Sequence, residues 1–180
     1  MVVDTVCSLA FAKCYSSKMP VTACDLLYER VLPFYDALGV PVQAILTDNG
    51  REFCGKPQSH PYELLLALED IEHRNTKVRS PRTNGFVERM NRTLLDECFR
   101  VKGRETFYLS IQEIQRDLDA FMTYYNLERS HQGYRLGGRT PALALRQALG
   151  LESLPDLDFG RLDALPETCE QEDAIVTETA

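Results

Sequence analysis

Val42-Gln43-Ala44-Ile45-Leu46-Thr47-Asp48-Asn49-Gly50 joins a short apolar run to a carboxylate and a turn-forming Asn-Gly pair. Runs of that length, bounded by turn residues, read as buried strands, so Asp48 stands where a strand ends. Downstream, Pro81-Arg82-Thr83-Asn84-Gly85-Phe86-Val87-Glu88-Arg89-Met90-Asn91 places Glu88 in the first turns of a predicted helix. Two divalent ions about 4 Å apart activate a hydroxyl and stabilise a leaving oxygen in phosphodiester chemistry, provided carboxylates on rigid elements hold them. Asp48 and Glu88 are the candidate catalytic and metal-binding pair, and as a pair they are incomplete.

Working outward from Asp48, the upstream sequence alternates strand and helix signals. Val2 to Cys7 and Leu9 to Tyr15 read as a hairpin, and Thr22 reads as the N-cap of a helix with apolar residues at Ala23, Leu26, Leu27 and Val31. Pro33 should kink or interrupt that helix before Leu38, and Gly39 should end it. Between the two carboxylates the spacing predicts a polar loop, an amphipathic helix near Pro61 to Leu68 and a short strand around Ile71 to Lys77. Next come a helix from Asn84 or Phe86 to Val101 and a second from Ser110 to Tyr125. The second has an apolar stripe of Ile111, Ile114, Leu118, Phe121 and Met122. Thr140 caps a last helix, Ala142 to Leu149, with Pro141 in its first turn. This order predicts an α/β fold in which helices cover a mixed sheet.

Composition narrows the classes of function. The chain has 180 residues, 44% hydrophobic and 26% charged, enough for one sizeable core. It contains no apolar run of bilayer length and no basic-then-apolar leader, which makes the cytoplasm the default location. Cys7, Cys14, Cys24, Cys54, Cys98 and Cys169 lie too far apart for a zinc ribbon, and His60, His73 and His131 are equally scattered. The net charge of −7 is unevenly placed: residues 151–180 hold nine acids and one base, whereas residues 74–104 hold nine Lys and Arg against three acids. Positive charge therefore concentrates around Glu88, where phosphate neutralisation would need it. Lys77, Arg79, Arg82 and Arg92 are candidates for nucleic-acid contact. Residues 1–149 are expected to form the core, and 150–180 an acidic, disordered tail.

Three blocks in order carry a resemblance: Thr47-Asp48-Asn49-Gly50, Ser80 through Asn91, and Tyr125-Asn126 through Arg129, His131 and Thr140-Pro141. From about Val2 to about Leu145 the chain resembles the DDE transposase and integrase superfamily, and within it the bacterial insertion-sequence integrases of the IS481 and IS3 type. The resemblance implies a ribonuclease-H-like fold, Mg2+ or Mn2+ as cofactor, and homo-oligomers or association with full-length transposase on DNA. The parent reaction is cleavage at a transposon end and attack of the freed 3′-hydroxyl on target DNA. It also implies three acids, the first on a strand that precedes the one matching Val2 to Cys7. That strand and its aspartate have no counterpart here, so the core is expected to be N-terminally truncated and its activity impaired. Asp4 is the candidate substitute, though a polar residue on a strand without its neighbour is the plainer reading.

Within the family the Glu88 helix meets the DNA end. Glu88, Asn91, Arg92 and Leu95 share one helical face, with Asn84 a turn earlier, which implies base or phosphate contacts for Asn84, Asn91 and Arg92. Asn126, Arg129 and His131 read either as a catalytic cluster or, more simply, as hydrogen bonds that fix a turn. Two other functions remain open at this stage: a non-catalytic DNA-binding or assembly remnant, and a nuclease acting on RNA–DNA hybrids.

Overall fold

The computed structural model describes residues 1–77, 85–133, 135–152 and 154. Strands β1 (Val2–Val3) and β2 (Ala10–Phe11) form an antiparallel pair, whereas β3 (Ala44–Thr47) and β4 (Glu72–Asn75) form a parallel pair. Among the described residues the two pairs are not hydrogen-bonded to each other. The hairpin is shorter than its sequence suggests because Asp4 turns the chain: one carboxylate oxygen accepts from the Val6 and Cys7 amides at 2.6 and 2.9 Å. Its other oxygen accepts from the Tyr35 hydroxyl at 2.8 Å, and Ser8 completes the turn with φ +61°.

Helices cover the strands on both faces, and β2 shows how the sequence achieves this. Leu9 and Phe11 join one buried cluster with Leu26, Leu27, Val31 and Leu66, while Ala10 and Ala12 join another with Met90, Leu94, Leu118 and Met122. That is the two-residue period of a strand buried on both sides. The first layer contains α1 (Pro20–Leu26), α2 (Leu32–Ala37), α3 (Pro61–Leu68) and α7 (Pro141–Leu149). The second contains α4 (Gly85–Leu94), α5 (Arg100–Glu105) and α6 (Ile111–Leu127).

Local chemistry explains where the helices begin and bend. α1 starts at Pro20, so Thr22 is not the N-cap; its hydroxyl donates back to the Met19 carbonyl at 2.7 Å. Proline at the first helical position wins because its missing N–H costs nothing there. Between α1 and α2 the chain widens into a π-helical turn, Leu27–Val31. Pro33 would otherwise press its ring on the carbonyl four residues back, and the wider turn removes that clash. Ser110 and Thr140 cap α6 and α7 as their sequence suggests, accepting from Glu113 and Leu143 amides at 3.3 and 3.2 Å. α7 ends at Leu149, and of the expected tail only 150–152 and 154 lie among the described residues. No helix among the described residues is long and apolar enough to cross a membrane.

α6 buries a different stripe from the apolar one in its sequence. Its inward face is Gln115, Leu118, Asp119, Met122, Tyr125 and Asn126. The polar members of that face close the outer edge of β2 and its extension. Asn126, with 0% exposure, accepts from the Ala10 amide at 3.0 Å and donates to the Ala10 carbonyl at 2.8 Å. Gln115 accepts from the Cys14 amide at 2.7 Å and donates to Asp119, and Asp119 accepts from Arg30, which also donates to the Ala12 carbonyl. Every one of these side chains answers a backbone group or a charge, as burial demands.

Candidate functional site

Asp48 follows β3 directly and is exposed. Three contacts fix its surroundings. Its carboxylate accepts from the Gly50 amide at 2.9 Å, while its carbonyl accepts from the Thr47 hydroxyl at 2.9 Å. Asn49 donates to the Thr76 carbonyl at 3.0 Å and ties the Asp-Asn-Gly turn to the end of β4. Behind the turn, Thr47 lies 2.8 Å from His73 Nε2, and His73 Nδ1 lies 2.9 Å from Glu63 on α3. A rigid strand end therefore presents Asp48, as a ligand-bearing position requires.

Glu52, a residue the sequence reading passed over, shapes the same turn. It is only 8% exposed, and a Cβ on Gly50 would come within 2.6 Å of its carboxylate. Lys18 holds it at 2.6 Å, and that partner keeps the Glu52 carboxyl below its usual range although burial opposes this. Gly50 is thus needed for close approach rather than for backbone freedom. Nothing in the local sequence separates Glu52 from a solvated acid, because its partner is Lys18 on the far side of a helix and a strand.

Glu88 lies in the first turn of α4 and is exposed, as are Asn91 and Arg92 one turn further on. Met90, Leu94 and Cys98 form the opposite, buried face, so the polar face is free for a ligand. Lys77, just beyond β4, is exposed as well. Arg79, Arg82 and Asn84 lie outside the described residues. The structure brings Asp48 and the start of α4 to one cleft of about 890 Å³, lined by Asp48 and Glu52 on one side and by Phe86 and Val87 on the other.

No third acid joins the pair in what is described: among the described residues no three His, Cys, Asp or Glu side chains cluster closely enough to hold a metal ion. Asp4 is occupied by the turn it builds. These residues by themselves do not fit a two-ion site.

The third sequence block is structural in its contacts. Asn126 holds β2. Arg129 grips Glu97 through two bonds of 2.7 and 2.5 Å and stacks over Tyr125, whose ring His131 meets edge-on at 4.7 Å. Arg129 keeps the Glu97 carboxyl below its ordinary range, and burial, helped by Arg129, keeps the His131 imidazole below its own.

Helices thus cover the strands on both faces, Asp48 follows a strand, and Glu88 lies in the first turn of a helix whose Phe86 and Val87 line the Asp48 cleft. Residues 69–141 match the family model described as Integrase core domain. The chain is 26% identical over 147 residues to "Putative integrase ORF3" of Spiroplasma virus SpV1-C74, a match covering 77% of this chain and 39% of that protein. It is 31% identical over 142 residues to "Uncharacterized protein K02A2.6" of Caenorhabditis elegans, covering 79% and 10% respectively. The chain thus spans well under half the length of either relative. Among solved structures it superposes on the catalytic core domain of BIV integrase with a TM-score of 0.55 at 19% identity, over 81% of this chain and 84% of that one. A chain of the simian T-cell lymphotropic virus intasome, in complex with the PP2A regulatory subunit B56 gamma, gives a TM-score of 0.61 at 19% identity. That match covers 99% of this chain and 52% of the other. In sequence the chain is similar to integrases over these residues, and its fold is the ribonuclease-H-like fold of integrase catalytic cores.

Proposed function

We propose that this chain is the core of a DNA integration or transposition protein of the insertion-sequence, IS481/IS3 type, with Asp48 and Glu88 as two of its catalytic, metal-binding acids. The observation that supports the reading is the cleft that Asp48 lines together with Phe86 and Val87, the two residues before Glu88. The substrate is DNA, element ends and target. Asn91, Arg92 and Lys77 meet phosphates or bases from exposed positions, and Asn84, Arg79 and Arg82 extend that surface in sequence. Phosphate contacts of this kind position the duplex without reading it. Divalent ions, Mg2+ or Mn2+, support the parent activity. The described residues do not complete an ion site. The working form is a homo-oligomer or an assembly with a longer transposase.

That incomplete acid set supports a second reading, a non-catalytic module that binds DNA or joins active subunits. One experiment separates the two. Strand transfer of a terminal-repeat oligonucleotide is measured with Mg2+ and with Mn2+, using the chain, Asp48→Asn and Glu88→Gln. Transfer by the parent chain that each substitution abolishes establishes the enzyme. Salt-sensitive DNA binding without transfer, unchanged by either substitution, establishes the module. In both cases Arg92→Ala should lower the slope of log affinity against log salt by about 0.9 if it neutralises one phosphate.

A further inference from the structure

α4 carries a second row of side chains beside the one that holds Glu88. Phe86, Arg89, Met90 and Thr93 recur at three- and four-residue spacing, so they share one side of the helix, and all four line a cavity of about 300 Å³. Glu88, Asn91 and Arg92 do not line it. The end of α6 and the turn after it form the other wall, with Tyr125, Arg129, His131 and Arg135. The described lining residues include three arginines and one histidine and no acid, in a chain with 27 Asp and Glu against 20 Lys and Arg.

The three cations keep donors to spare. Arg129 commits Nε and Nη2 to Glu97 at 2.7 and 2.5 Å, which fixes the guanidinium and leaves its Nη1 donors. Arg135 commits Nη1 to the Thr5 carbonyl at 2.5 Å and lies over the Phe86 ring, 5.2 Å from its centroid, which leaves Nη2. Arg89 has no hydrogen bond or ion pair among the described residues, yet it lies near enough to act electrostatically, with Arg129, on the Tyr125 phenol.

His131 adds an independent observation. Its ring meets Tyr125 edge-on at 4.7 Å and hydrogen-bonds the Tyr125 backbone, while Nε2 is buried with no partner among the described residues. Buried polar atoms are nearly always satisfied, so an unpartnered nitrogen on a cavity wall marks a place for a ligand atom. Burial and Arg129 both oppose a charge on this imidazole; an anion in the cavity would reverse that balance and let Nε2 donate.

We infer that this cavity binds a phosphomonoester, whose terminal oxygens accept from Arg89, from the uncommitted N–H groups of Arg129 and Arg135 and from His131 Nε2. Such a group carries a charge of about −1.5 to −2 near neutral pH and three strong acceptor oxygens, so it can answer donors on both walls at once. A carboxylate offers two oxygens and a single charge, and an internal phosphodiester offers no more. Guanidinium groups suit the role because they are planar, weakly hydrated and always charged. At about 30 Å³ per water molecule, the cavity holds about ten waters, which is room for a phosphate and the sugar that bears it. The phosphate belongs either to a free compound or to the end of a nucleic-acid strand. The inference does not depend on Asp48 and Glu88 acting on DNA.

The test follows the imidazole resonances of His131 by NMR in the isotopically labelled full chain, with His131→Asn to assign them. Inorganic phosphate is added at about pH 7.5, where the dianion predominates, and sodium chloride holds the ionic strength constant. A saturable shift, weakened about tenfold or more by Arg89→Gln on one wall and by Arg135→Gln on the other, supports the site. A shift that fails to saturate, that chloride alone reproduces, or that keeps its affinity in either variant overturns it and leaves Nε2 to water. Two further probes identify the source. A short single-stranded oligonucleotide with a 5′-phosphate that binds more tightly than inorganic phosphate, a nucleoside 5′-monophosphate and its own 5′-hydroxyl twin makes the ligand a strand end. If it binds no more tightly than the nucleoside 5′-monophosphate, the ligand is a free phosphate compound. Equal binding of the 5′-phosphate and 5′-hydroxyl oligonucleotides would assign the cavity to internal diesters and overturn the monoester.

Discussion

β2 and β3 each expose an edge of a two-stranded sheet, and the protein treats the two edges differently. Along β2 and its continuation, Asn126, Gln115 and Arg30 reach in and satisfy Ala10, Cys14 and Ala12, so that no strand can add there. Along β3, Ala44 and Leu46 face an open cleft, and Leu46 is 43% exposed. An edge with free donors and acceptors recruits another strand unless it is blocked. Side chains from α6 together with Arg30 thus satisfy one edge, while the other lies open beside Asp48.

The largest expected effect comes from unsealing the closed edge. Asn126→Ala leaves the Ala10 N–H and C=O buried and unpaired and opens a small void between α6 and β2. Each lost partner costs about 1–3 kcal/mol, so the total should be about 4 kcal/mol, read as a lower urea midpoint at constant m. If the loss stays below about 1 kcal/mol, water replaces the side chain and the edge is not sealed by Asn126. Asp119→Ala is the next in size. It removes the carboxylate that accepts from both Arg30 and Gln115, with side-chain exposures of 12% for Arg30 and 10% for Asp119. Breaking a buried pair costs about 3–5 kcal/mol; Arg30 keeps the Ala12 carbonyl, which argues for the lower end. The double variant with Asn126→Ala should cost less than the sum of the two, because both act on one strand edge.

How much of this contrast could be read from the sequence depends on what each part is made of. The bounds of α3 were legible because Pro61 opens it, whereas its buried face, Tyr62 and Leu66, was not named by the sequence and Leu68 is exposed. The Asp48 and Glu88 positions were legible because strand-end and helix-start signals surround them. The α6 stripe was only half legible: apolar periodicity finds Leu118 and Met122 but cannot find Gln115, Asp119 and Asn126. Asn126 and Gln115 answer backbone groups of Ala10 and Cys14, Asp119 answers the Arg30 side chain, all remote in sequence, and no local pattern marks a polar residue as buried. Thr22 was misplaced for a local reason, since Pro20 starts the helix three residues earlier than an N-cap at Thr22 would.

Acid should loosen the sealed edge before the open one. His131 and the Glu97–Arg129 pair brace the end of α6 that carries Asn126. Burial holds the folded His131 imidazole below its ordinary pKa of 6.5, so its contribution to stability is full above that pH and falls away below it. Glu97, lowered from 4.5 by Arg129, contributes in full above about pH 4.5 and loses its share as pH falls through the lowered value. The Glu97 side chain is 39% exposed, which limits the pair to about 1 kcal/mol or less. Urea midpoints from pH 8 to about pH 2 should begin to fall near pH 6.5 and fall again below about pH 4.5. His131→Asn should flatten the first part of that fall and Glu97→Gln the second; an unchanged profile in both variants would remove these groups from the account.

The smallest effect on stability should come at the open edge itself. Leu46→Lys places a charge on a half-exposed strand position that no other strand covers, and surface changes of this kind stay within about 0.5 kcal/mol. Its consequence for association is larger, because lysine on an edge is a standard barrier to strand addition. Light scattering at rising protein concentration should show less self-association for this variant than for the parent, with an equal unfolding midpoint. Were Leu46→Lys as destabilising as Asn126→Ala, the β3 edge would be buried against something in solution, and the two edges would not differ in the way their hydrogen bonds indicate.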